Sequence, residues 1–218
     1  MKAPEALVAA VKAGDVGAVR VAVDGDPALA SAHDENGLSL ILLALFHHQR
    51  EACDALLGAD PPLDVLEAAS LGLVDRLREL LTADPDAQTA RTPEGFDPIG
   101  LAAFLGGADA VAVLLEHGAD PDGDVDNPMR ARPLHAATAV GDAASVRLLL
   151  VAGARPDERQ QGGFTPLHAA AHLDDVESAR LLLEHRADPG LRNDEGRSAA
   201  DLAGERVAAL LRERTAAG

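Results

Sequence analysis

The stretch Gly163-Phe164-Thr165-Pro166-Leu167-His168-Ala169-Ala170-Ala171 decides how this chain folds. Thr165 can cap a helix, and Pro166 suits the first helical turn, where its missing N–H is not needed. Leu167, Ala170 and Ala171 follow at helical spacing. A near copy, Arg132-Pro133-Leu134-His135-Ala136-Ala137, stands 33 residues upstream. A pattern recurring at that period marks a stack of similar units, each burying its apolar face against the next. Function is then to be sought on a stacked surface rather than in one pocket.

Further copies extend the ladder in both directions. Gly95-Phe96-Asp97-Pro98-Ile99-Gly100-Leu101-Ala102-Ala103 leads to Val113-Leu114-Leu115-Glu116-His117-Gly118-Ala119-Asp120-Pro121. Weaker copies start at Leu63 and Gly37, and partial units occupy both ends. The reading is one domain over 1–218 with seven units: 4–34 as a cap, 35–61, 62–91, 92–126, 127–159, 160–192, and 193–214 as a second cap. Each unit reads as two helices separated by a short break. The second helix of the best unit carries Val176, Ala179, Leu182 and Leu183. Gly118 and Gly153 stand where a helix end needs positive φ, and Arg186 takes that place one unit later. The first three units shorten the link after the second helix and lack Thr-Pro-Leu-His. Arg206, Arg212, Glu213 and Arg214 give the last helix the polarity of a solenoid cap.

On these motifs the chain resembles the ankyrin repeat family over nearly its whole length, from about residue 7 to residue 211. The resemblance implies an all-α solenoid of stacked helix-turn-helix units with projecting hairpin fingers. It also implies a protein-binding groove lined by finger tips and first helices. The family's groove positions fall on Lys12-Ala13, Phe46-His47, Ser70-Leu71, Phe104-Leu105, Ala139-Val140 and His172-Leu173. Its finger position falls on Leu38, Phe96, Ala131, Phe164 and Arg197. All four Phe of the chain thus lie on recognition positions and none on a core position.

Composition limits the partner. The formal charge is −17, from 36 Asp and Glu against 19 Lys and Arg. Such a field repels nucleic acid and anionic lipid and favours a partner with a basic or amphipathic segment. Trp and Tyr are absent, which suits closely spaced helices with a small aliphatic core. No span reaches membrane length, no leader is evident, and one cysteine, Cys53, forms no internal disulfide. The expectation is a cytoplasmic monomer.

The expected binding residues are Phe46, His47, Leu71, Phe96, Phe104, Leu105, Val140, Phe164, His172 and Leu173 on groove and fingers. Asp122, Asp124, Asp126 and Glu158 are expected to steer a cationic partner. The chain reads as an interaction module that regulates or neutralises its partner. The alternative is a small-molecule site, or a rare enzyme, using the apolar groove with a histidine. No metal or cofactor is expected. The Asp-rich loop from Asp120 offers oxygen ligands, but its sixth and twelfth positions are Val125 and Ala131 rather than Gly and Glu. His47 and His172 both face the groove but lie four units apart, about 40 Å at the spacing of packed helices. Cys53 matches Ala179 and reads as a small core residue.

Overall fold

The computed structural model describes residues 1–123 and 126–217, and the side chains of these except 214–217. Seven helix pairs follow one another. They are α1 (Glu5–Ala13) with α2 (Val16–Gly25), α3 (Leu40–Phe46) with α4 (Arg50–Leu57), and α5 (Val65–Ser70) with α6 (Val74–Ala83). Next come α7 (Pro98–Leu101) with α8 (Ala108–Glu116), and α9 (Pro133–Ala139) with α10 (Ala143–Val151). The last are α11 (Pro166–His172) with α12 (Val176–Glu184), and α13 (Ala199–Leu202) with α14 (Glu205–Ala217). A π-turn, Ala102–Gly106, continues α7. The expected all-α stack is what forms. The first helices pack in order from α1 to α13, and the second helices pack in order from α6 to α14, with α2 on α4.

One closure recurs in six units. Ala10, Ala44, Ala68, Ala102, Ala137 and Ala170 each accept a bond from the N–H five residues on, at 2.8–3.0 Å. That 6→1 bond ends the first helix and turns the chain back on itself. The turn is reached through a left-handed residue at Gly14, His48, Gly72, Gly141 and Asp174. The alanine matters as much as the turn: five of the six are fully buried, and only a methyl lets neighbouring first helices approach closely. Gly106 and Gly72 are the tightest place, since a Cβ on Gly106 would lie 1.9 Å from the Ala69 carbonyl oxygen.

In the second helices, Val19, Cys53, Leu77, Val111, Val146 and Ala179 occupy the equivalent buried site. Cys53 is therefore a core residue, and burial pushes its thiol up to about 11. Units 1 and 3 differ by one residue: the site is followed by a buried side chain four positions on (Val23, Leu81), where the other units bury one three positions on (Leu56, Leu114, Leu149, Leu182). Their longer helices end at Asp26 and Asp84, whose carboxylates cap 3-10 helices that start at Pro27 and Pro85. Those two links are thus full length, against the expectation that all three early links are shortened. Only 58–64, between α4 and α5, is short and carries no finger.

The fingers close by a repeated side-chain bond. Asp34, Thr92, Asn127 and Asn193 accept from the backbone N–H four residues on, at Leu38, Phe96, Ala131 and Arg197. The motif histidines then tie each helix to the next finger. His168 Nε2 donates to the Arg197 carbonyl at 3.0 Å, which leaves Nδ1 to accept from the Thr165 N–H and hydroxyl. The Thr165 hydroxyl, the expected helix cap, also meets the ring at 2.8 Å. His135 does the same, with Nε2 on the Glu158 carbonyl at 2.9 Å and Nδ1 on the Arg132 N–H. Among the described residues no helix is long and apolar enough to cross a membrane.

Two predictions follow from these contacts. Arg186 holds φ +68 where Gly118 and Gly153 hold +86 and +100. Arg186→Gly should raise the unfolding free energy by about 1 kcal/mol, seen as a higher urea midpoint at unchanged slope. The second concerns pH. Burial outweighs the hydrogen bonds, which act to raise it, and lowers His135 to about 4. The unfolded chain therefore binds this proton below about pH 6.5, while the folded chain binds it only near pH 4. Stability from His135 is full above pH 6.5 and is lost as pH falls to about 4, on the order of 3 kcal/mol. Urea melts of the parent and of His135→Gln should show the parent's advantage at pH 7.5 shrinking by that order at pH 4.

Candidate partner-binding face

The positions just before each turn line up on one side of the stack. They are Phe46 and His47, Ser70 and Leu71, Phe104 and Leu105, Ala139 and Val140, His172 and Leu173. Each pair immediately precedes the turn residues described above, so the register holds through the early units. Leu71 and Leu105 are half-buried, while Val140 and Leu173 are 45% and 46% exposed. These four form an apolar ladder across four successive units. Acidic residues follow each rung in the chain, Asp75 and Asp109 four positions on within α6 and α8, and Asp142 and Asp175 two positions on at the start of α10 and α12. Asp142 and Asp175 also cap α10 and α12. His47 and His172 are exposed at opposite ends of this face.

Beside the ladder the face opens into an apolar hollow of about 380 Å³. Phe46, Phe96, Leu101, Phe104, Met129 and Ala139 are among the apolar residues of its wall. Three departures from the repeat make it. The short link 58–64 sends out no finger, so the fingers on either side close up: Gly37 comes against Pro93, and the Phe46 and Phe96 rings meet at 5.9 Å. Gly100 stands where Glu67, His135 and His168 place a large side chain in other units. The next finger is two residues longer than the one after it, and Met129 near its tip is 49% exposed.

The charged groups lining the hollow are already engaged. Asp97 accepts from the Gly100 N–H at 2.7 Å, His135 uses both ring nitrogens, and Arg132 binds Glu158 at 3.1 Å and the Asp122 carbonyl at 3.2 Å. Asn127 closes on Ala131 with both amide atoms. His135 is thus neutral near pH 7 with no nitrogen left for acid–base work. The alternative of an apolar site served by a histidine finds neither His47 nor His172 in the wall.

The expected residues separate into groups. Phe46, Phe96 and Phe104 converge on the hollow, although Phe46 and Phe96 also pack partly on the core. Leu71, Leu105, Val140 and Leu173 form the ladder. Phe164 lies elsewhere, edge-on to the His168 ring at 5.8 Å. Leu38 is buried in the core. Asp122 and Glu158 are not solvent-facing steering charges: Arg155 bridges them at 2.7 and 2.6 Å, and Arg132 completes a neutral cluster. Asp126 is exposed, and Asp124 lies outside the described residues. Gly100 and Met129 went unrecognised in the sequence, although Ile99-Gly100-Leu101 shows a glycine in the histidine slot. Among the described residues no group of three or more His, Cys, Asp or Glu is placed to hold a metal.

Comparison with known proteins agrees with this architecture. The family described as ankyrin repeats (3 copies) matches residues 65–160 and 134–215. The human cyclin-dependent kinase 4 inhibitor B is similar, 36% identical over 110 residues, covering 49% of this chain and 73% of that protein. The Drosophila melanogaster palmitoyltransferase Hip14 is 31% identical over 128 residues, covering 52% of this chain but only 19% of the palmitoyltransferase. With helix pairs, turns and fingers in register along the stack, and with that match over most of its length, the chain belongs to the ankyrin repeat family, whose stacked units serve protein–protein interaction.

Proposed function

We propose that this protein holds a partner protein on its concave face and regulates or neutralises that partner by occupying one segment of it. The observation that carries the reading is the ladder of Leu71, Leu105, Val140 and Leu173, half-buried to exposed across four successive units. Packed helices repeat at about 10 Å. A helical partner segment lying along the stack meets that period every seventh residue, since seven residues rise about 10.5 Å. The complementary segment is therefore an amphipathic helix, apolar at every seventh position and basic along one flank. The net charge of −17 favours its approach. The human relative is by name a kinase inhibitor, which supports a regulatory role for a protein of this architecture. An adaptor role in the cytoplasm is part of the same proposal.

Val140 and Leu173 are exposed, so changing them should leave the fold intact. Val140→Asp with Leu173→Asp should weaken the partner captured from the native host at least tenfold, measured by titration calorimetry, with an unchanged melting temperature. Undiminished capture by the folded double variant would remove the ladder as the binding surface.

A further inference from the structure

We infer that the hollow between Phe46, Phe96, Phe104 and Met129 receives one large uncharged side chain of the partner segment, an aromatic or methionine anchor. This rests on the reading of the concave face given above and goes beyond it, since the ladder alone specifies no single deep contact. The hollow is built by departures from the repeat, and each departure opens space. Gly100 leaves out the ring that His135 and His168 supply in the following units. The missing finger at 58–64 lets Phe46 and Phe96 form one wall across two units. The two-residue extension of the next finger adds Met129 as the opposite rim.

The chemistry of the wall selects the occupant. Asp97, Arg132 and His135 are engaged within the chain, so a charged group entering here finds no free counter-charge and would lose its hydration. An apolar hollow of this kind gains most from an apolar group that displaces poorly bonded water. Phe104, 41% exposed, and Met129 frame the mouth, and both adapt well to an aromatic ring. The occupant is a protein side chain because Phe104 and Ala139 in the wall adjoin Leu105 and Val140 of the ladder. A segment with basic flanks also suits the net charge of −17. Anchors seated in such pockets dominate binding, and their truncation weakens affinity about thirtyfold or more.

Selection of a random-peptide library on the folded chain tests the inference. The chain contains no Trp or Tyr, so tryptophan emission from a selected peptide is read without background. The expected peptides share one Trp, Phe or Met with Lys or Arg nearby. Replacing that residue by Ala should cut affinity about thirtyfold or more. Filling the hollow with Ala139→Phe, or with Ala136→Met as a second variant of smaller bulk, should do the same while the melting temperature holds. Peptides that ignore both filling variants yet are lost on Val140→Asp with Leu173→Asp would overturn the anchor and leave the ladder standing. Peptides insensitive to all of these variants, or no peptide at all, would overturn both. Free N-acetyltryptophanamide binding as tightly as the peptides would mark a small-molecule site and overturn the protein occupant.

Discussion

The turn that ends each first helix governs everything else in this molecule. A backbone N–H reaches back five residues to the carbonyl of an alanine, and five of those six alanines are sealed in the stack. The bond fixes where the chain reverses, and the methyl fixes how closely the next unit can approach. Repeated six times, these two constraints set a period of about 10 Å and place the two residues before every turn on a common face. The ladder of Leu71, Leu105, Val140 and Leu173 is thus a geometric by-product of closure. The same bond that builds the scaffold aligns the binding surface.

A regular stack would present a uniform groove. Individuality comes from the places where the repeat is broken, and here three breaks fall together. A seven-residue link replaces a finger at 58–64, a glycine replaces a ring at Gly100, and the finger carrying Met129 is longer than its neighbour. Each removal of bulk would normally be a cavity with a cost in stability. Phe46 and Phe96 offset part of it by packing on one another and on the core. What remains is an apolar opening on the face where the scaffold already aligns apolar residues. The finger beside it is stiffened by the neutral cluster of Arg132, Glu158, Arg155 and Asp122.

Much of this was legible in the residues. Thr165-Pro166-Leu167-His168 and its copies marked the unit and its period, because helix initiation and turn chemistry are local, and the resemblance to the ankyrin family supplied the groove positions. The left-handed turn at Arg186 could be read from its place beside Gly118 and Gly153. What could not be read depends on side chains meeting across units. Nothing local in Asp122 or Glu158 says that Arg155 will neutralise them, since those partners come from different parts of one finger and its neighbour. Leu38 shares a sequence slot with Phe96, yet it is buried. The early links were misjudged for a different reason. Asp26-Pro27 and Asp84-Pro85 read as the end of a tight turn, whereas each starts a 3-10 helix that restores full length.

The central claim is that binding uses the concave face and not the outer one. Methyl NMR of the chain titrated with its captured partner tests this most directly, because the molecule carries its own controls. Val21 and Val151 are 75% and 74% exposed on second helices, as apolar and more accessible than any rung of the ladder. The account predicts shifts at the methyl groups of Leu71, Leu105, Val140, Leu173 and Met129, with Val21 and Val151 unmoved. Shifts at Val21 and Val151 with a silent ladder would contradict it.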